Sequence, residues 1–224
     1  MWGSERLSDE SRLQFITIEG PIGVGKTSLA RRLAESLGYD LMLERAEENP
    51  FLERFYRDPV GAALPTQLFF LFQRVGQIQE LRQNDLFSPV RVTDFLLEKD
   101  RLFAELTLGP EEFRLYEQVY EQVAVDAPVP DLVVYLQAPV DVLAHRIRRR
   151  GIAYELDIQP DYLRRLNEAY MQFFHHYKAA PLLIVNAASI DPINNDADYR
   201  LLLDRILNAR AGREYFNPAP SLSD

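Results

Sequence analysis

Residues 20 to 27 read GPIGVGKT, with Gly20, Gly25, Lys26 and Thr27 at the spacing GxxxxGK[ST]. The run Phe15-Ile16-Thr17-Ile18 before it has the β-branched and aromatic character of a strand. After it, Leu29, Leu33 and Leu37, with Ala30 and Ala34, recur at helical spacing as far as Gly38, a natural stop. A strand, a glycine loop and a helix in this order aim the loop's N–H groups and the helix N-terminus at one point, where a phosphate can sit. The contacts expected for a nucleotide's phosphates are therefore Gly20, Pro21, Ile22, Gly23, Val24, Gly25, Lys26, Thr27 and Ser28. Lys26 is expected to meet the β- and γ-phosphates, and Thr27 to offer its hydroxyl to Mg²⁺.

The rest of the chain fits one α/β layer structure. Short apolar runs at Asp40–Leu43, Val90–Thr93, Leu132–Leu136 and Leu182–Val185 are separated by helical stretches, which predicts a five-stranded parallel sheet with helices on both faces. The helices are predicted at Pro65–Gln83, about 98–107, 111–124, Val140–Arg150, Pro160–Lys178 and 197–209. Residues 1–12 read as a flexible leader, 13–216 as a single domain, and 217–224 as a disordered tail.

Composition narrows the chemistry. With 34 acidic and 25 basic side chains the formal charge is −9, which offers no general attraction to nucleic acid or anionic membranes. The chain has no cysteine and only three histidines, so disulfides, thiolate zinc sites and cysteine nucleophiles are excluded, and any metal is expected on oxygen ligands. Neither a signal pattern nor a membrane-spanning apolar run is present, which predicts a cytoplasmic protein.

Several polar residues stand where an acceptor could be held. Glu44 follows the second strand, at the end of the sheet where ligands bind, as a general base or as a solvated acid in a charged loop. Gln67 and Arg74 are seven residues apart and share a helix face, as readers of a heterocycle edge or as an exposed polar stripe. Asp94 ends the third strand, as a water-mediated Mg²⁺ ligand or as a strand-end cap. The run RIRRRG gathers Arg146, Arg148, Arg149 and Arg150 on the last turns of a helix, as a phosphoryl clamp or as charges favoured by the helix dipole. The aromatic helix around Tyr170 reads as core or subunit interface, and His175 and His176 carry no expected catalytic role.

Taken in order, GPIGVGKT, Glu44 with ENPFLERFY, LPTQLFFLFQR, DRLFA and RIRRRGIAYE resemble the deoxyribonucleoside kinase family, especially its bacterial deoxyadenosine and deoxyguanosine kinase-like members, from about 14 to 209. The resemblance implies a P-loop fold, ATP and Mg²⁺ as cofactors, a homodimer, and phosphorylation of a deoxyribonucleoside 5′-hydroxyl, with purines and deoxyadenosine first. It makes Glu44 the base, and Arg146 and Arg150, with Lys26, the groups that neutralise the phosphates. It also implies that Gln67 and Arg74 read the nucleobase, Phe103 stacks on it, and Tyr56 and Glu155 hold the sugar 3′-hydroxyl. The family's acidic-Arg-Ser motif after the third strand is replaced by Thr93-Asp94-Phe95, which leaves Asp94 for the metal-linked role and Lys99 to replace part of the missing charge. Ile152 stands where some relatives carry a further lid arginine. Two other classes remain: a nucleoside-monophosphate kinase, disfavoured because Glu44 would repel the acceptor's phosphate, and a nucleotide-binding switch, for which no NKxD tetrapeptide is present.

Overall fold

The structure, a computed structural model, describes residues 13–84, 90–123, 127–210 and 212–218. Among the described residues six strands form one parallel sheet: β1 (Phe15–Glu19), β2 (Asp40–Met42), β3 (Arg91–Thr93), β4 (Leu132–Gln137), β5 (Leu182–Asn186) and β6 (Arg213–Phe216), in the order β2-β3-β1-β4-β5-β6. The expected five strands are therefore six. Arg213–Phe216 pairs in parallel with β5 from Leu182↔Arg213 to Val185↔Phe216, so this strand lies within the expected domain. The expected leader lies outside the described residues, as does the expected tail apart from Asn217 and Pro218.

Helices connect the strands on both faces: α1 (Lys26–Leu37), α2 (Leu52–Arg57), α3 (Ala63–Asn84), α4 (Lys99–Thr107), α5 (Pro110–Val123), α6 (Val140–Arg150), α7 (Pro160–His176) and α8 (Asp196–Leu207). Two short 3₁₀ turns, Ala46–Glu48 and Ala153–Asp157, flank the ligand end of the sheet. Helix α2 was not expected from the sequence: at six residues it is too short to show a periodic apolar stripe.

The central strand β4 explains the layering. Its residues alternate between faces, so Leu132, Val134 and Leu136 enter a core with Leu29, Leu143 and Leu202, while Val133 and Tyr135 enter another with Leu102, Leu166, Tyr170 and Phe174. The first core seats α1, α6 and α8, and the second seats α4 and α7. In the second core, Tyr135 stacks on Phe174 with ring centroids 4.1 Å apart. The aromatic helix α7 is therefore core along this face. A third cluster around Leu71, Val75, Ala104 and Tyr116 joins α3, α4 and α5 into a helical layer.

Candidate active site

The glycine loop between β1 and α1 lies at the carboxyl end of the sheet, the end at which open parallel sheets bind ligands. Gly23 fills a position that the loop pattern leaves open, yet it adopts φ +83°, and a Cβ there would lie 2.7 Å from Ile147 Cγ1 and 2.9 Å from the Leu143 carbonyl oxygen. Only glycine lets α6 press this closely on the loop. Lys26 folds back over the loop, its Nζ donating to the Gly20 carbonyl at 2.7 Å. Burial, then the nearby Lys99 charge, lowers the Lys26 pKa.

On one side of the loop a cavity of about 800 Å³ is lined by Lys26, Glu44, Tyr56, Gln67, Phe103 and Glu155, among others. Each side chain reaches it from a different element. Gln67 and Arg74 lie two helical turns apart in α3 and are buried, so the expected shared face is turned inward. Tyr56 comes from α2, where its ring stacks on Tyr154 of the neighbouring 3₁₀ turn at 6.2 Å, and burial raises its phenol pKa well above the ordinary value. Phe103 comes from α4 and meets Tyr170 edge-on at 6.1 Å. Glu155, from the same 3₁₀ turn as Tyr154, is ion-paired with Arg150 at the end of α6.

Glu44 sits at the centre of a network of buried charges. One carboxylate oxygen accepts from Arg74 Nη2, and the other from Lys99 Nζ at 3.0 Å. Arg74 also pairs through Nη1 with Asp100, so its guanidinium is turned to two carboxylates. Burial on its own would raise the Glu44 pKa, but Arg74, Lys99 and Lys26 together hold it at about 2. Asp94 joins this network to the loop: Oδ2 accepts from the Thr27 hydroxyl at 2.5 Å, and Oδ1 accepts from the Glu44 backbone N–H at 2.7 Å. Burial raises the Asp94 pKa against the opposing Thr27 hydrogen bond. Thr27 and Asp94 thus place hard oxygen donors side by side next to Lys26, a donor set that suits Mg²⁺ held mainly by phosphate and water.

On the other side of the loop lies a second cavity, of about 480 Å³, between Val24, Arg146, Arg149 and the segment from Ala187 to Asn194 after β5. Arg146 ties its walls together, donating to the Val24 carbonyl at 3.0 Å and the Ala187 carbonyl at 2.8 Å, and burial lowers its pKa. Arg150 and the loop residues Gly23, Gly25 and Ser28 line both cavities. Sequence reasoning missed the segment after β5 and Asp100. The former has no motif, and an acid in the first turn of a helix is too ordinary to stand out.

A glycine phosphate loop at the carboxyl end of a parallel sheet, with a cavity on either side of it, defines a P-loop kinase of the nucleoside and nucleotide type. The chain belongs to the deoxynucleoside kinase family, whose family model matches residues 16–209. It is 34% identical over 191 residues to a deoxyguanosine kinase of Bacillus subtilis, covering 83% of this chain and 92% of that protein. It is 30% identical over 197 residues to a deoxyadenosine kinase of Lactobacillus acidophilus, covering 82% and 90% of the two chains. The solved structure of the M. mycoides deoxyadenosine kinase with bound dATP superposes with a TM-score of 0.75 at 26% identity, covering 86% of this chain and 98% of the other. The protein is therefore an enzyme that phosphorylates deoxynucleosides.

Proposed function

We propose that this kinase moves the γ-phosphoryl group of ATP to the 5′-hydroxyl of a purine deoxynucleoside, deoxyadenosine first, giving the 5′-monophosphate for nucleotide salvage. The observation that carries the reading is the position of Glu44: an ionised carboxylate at the junction of the acceptor cavity and the phosphate loop, gripped by two cations. The named relatives phosphorylate deoxyguanosine and deoxyadenosine, which supports the purine preference.

The nucleoside enters the cavity of about 800 Å³, with Gln67 and Arg74 at its nucleobase, Phe103 stacked on that base, and Tyr56 and Glu155 at its 3′-hydroxyl. The donor's base and ribose occupy the cavity between Arg146 and the segment after β5, and its phosphates lie on the loop from Gly20 to Ser28. Thr27 and Asp94 are the residues that would hold Mg²⁺, which would supply charge neutralisation at the phosphates. The 5′ oxygen attacks γ-phosphorus, the bond to the β-phosphate oxygen breaks, ADP leaves, and the hydroxyl proton passes to Glu44. A carboxylate held at about 2 is a weak base, but a loose transition state demands little nucleophile activation, so Glu44 acts first by orienting the hydroxyl. Lys26, Arg146 and Arg150 stabilise the charge spread over the transferred group.

No helix among the described residues is long and apolar enough to cross a membrane, and a cytoplasmic enzyme without nucleic-acid partners fits the formal charge of −9. A homodimer is supported by α3 and α5, which pack together yet leave Phe72 and Leu115 about half exposed. The test is a mass-spectrometric product assay with ATP and Mg²⁺ against the four deoxynucleosides and their monophosphates. Deoxyadenosine monophosphate should dominate, and Glu44→Gln should suppress it on the order of 100-fold or more. Equal turnover by the variant would remove Glu44 from the reaction.

A further inference from the structure

Glu44 is held by two arms of the same design. On one side Arg74 grips Oε1 and is itself seated on the buried carboxylate of Asp100. On the other side Lys99 grips Oε2 at 3.0 Å and lies 3.4 Å from Oε1 of Glu19. Glu19 is 0% exposed and Lys99 2%, so both charges are withdrawn from water. An ammonium is costly to bury unless it is paired, and this one is placed between two carboxylates.

Glu19 already has other partners. Its Oε2 accepts from the Gly20 N–H at 2.9 Å and from the Tyr170 hydroxyl at 3.3 Å, and its Oε1 accepts from the Leu96 N–H at 2.9 Å. Four elements therefore meet on this one carboxylate: the start of the phosphate loop, the segment after β3, α7, and α4 through Lys99. Glu19 does not depend on Lys99 for satisfaction, and the shorter ammonium contact is to Glu44.

We propose that Glu19 and Lys99 form a positioning pair for phosphoryl transfer, in which Glu19 seats Lys99 and Lys99 fixes the carboxylate plane of Glu44 relative to the phosphate loop. Because the same Glu19 carboxylate receives the Gly20 N–H, the loop that carries the donor phosphates and the group that orients the acceptor hydroxyl are set from one point. With one oxygen gripped by Arg74 and the other by Lys99, the carboxylate cannot rotate, and each oxygen keeps a lone pair for the substrate hydroxyl. Removing one arm leaves Glu44 near its place but free to turn about the Arg74 contact. A displacement of this kind lowers the rate of the bound complex more than it weakens binding.

The proposal rests on Glu44 as the hydroxyl-orienting group, and the experiment separates the two. Steady-state kinetics are measured for Lys99→Met, Lys99→Arg, Glu44→Gln and the Glu44→Gln/Lys99→Met double variant, with a thermal melt of each. Lys99→Met should lower kcat on the order of 30- to 100-fold, with KM for deoxynucleoside and ATP changed less than about threefold. Lys99→Arg should recover part of the loss. In the Glu44→Gln background the Lys99 substitution should have no further effect on kcat, since the group it positions is gone. Should Lys99→Met fail to fold, Lys99→Gln removes the charge while keeping a polar side chain among the carboxylates, and should show the same loss of kcat. A variant with wild-type kcat and only a lower melting temperature would make Lys99 purely structural and overturn the proposal. So would losses that multiply in the double variant. A fully active Glu44→Gln would overturn the underlying reading instead.

Discussion

The Gly23 position shows how much one hydrogen atom decides at this site. The φ of +83° alone makes a side chain costly, and the Cβ of an alanine would press on Ile147 and on the Leu143 carbonyl of α6. Gly23→Ala should therefore push α6 off the loop and carry Arg146 with it, because Arg146 bridges the Val24 and Ala187 carbonyls. A loss of about 1–3 kcal/mol in stability is expected from strain of this kind. If about 1.4 kcal/mol of donor binding is lost too, the apparent ATP KM rises tenfold while deoxynucleoside KM stays near its original value. An unchanged ATP KM would show that the loop tolerates the displacement. Glu44 makes a different prediction, through pH. Its folded pKa of about 2 lies below the ordinary glutamate value, so its ionised form contributes stability fully above that ordinary value, and the contribution is lost as pH falls toward 2. Glu44→Gln should be less stable than the parent at pH 7, with the gap narrowing as the pH is lowered from about 5 toward 3. Denaturant melts across that range check it, and a constant gap would mean that the Arg74 and Lys99 contacts do not act through charge.

At the scale of the element, what the sequence made legible follows from period and length. Strand β1, the loop and α1 stand out because a strand run, a spaced motif and a helical run abut. Helix α6 matches its expected bounds because Pro139 and Gly151 mark both ends. Strand β6 was hidden because Arg-Glu-Tyr-Phe, four residues between a glycine and a proline-rich tail, carries no clear alternation and gains its partners only from the distant β5. The site divides in the same way. The loop residues, Glu44, Gln67, Arg74 and the arginines of α6 are marked by motif, position or resemblance, but nothing in the sequence marks Glu19 or Asp100, and only the tertiary packing buries them with Lys99 and Arg74. Two substitutions test the element scale directly. Asn195 caps α8, its side-chain oxygen accepting from Ala197 N–H at 2.8 Å and Asp198 N–H at 3.3 Å, so Asn195→Ala should cost about 1 kcal/mol. Phe174, 1% exposed and stacked on Tyr135, fixes α7 to the sheet, and Phe174→Ala should cost about 3–5 kcal/mol. Chemical denaturation distinguishes them, and comparable costs for the two would mean that the core closes around the lost ring.

For the molecule as a whole, the two cavities meet at a single wall, the loop from Gly23 to Ser28, with Arg150 exposed to both. Donor and acceptor should then each stabilise the fold by occupying its own cavity, and thermal shifts can assign the cavities without any turnover. A ligand at a hundred times its Kd adds about 2.7 kcal/mol to a protein that binds it only when folded. For a chain of this size that is a rise of about 5–11 °C in Tm, from about 2–4 °C per kcal/mol. A non-hydrolysable ATP analogue with Mg²⁺ should give such a shift in the parent and in Glu44→Gln, since Glu44 lines only the acceptor cavity. Deoxyadenosine should shift the parent and shift Gln67→Ala far less, because Gln67 also lines only the acceptor cavity. Gly23→Ala should show the reverse pattern, keeping the deoxyadenosine shift and losing about half of the analogue's at the same concentration, as a tenfold weaker Kd implies, because α6 forms the donor wall. If both ligands lost their shift in either variant, the two cavities would behave as one site and the division of the molecule at the loop would be wrong.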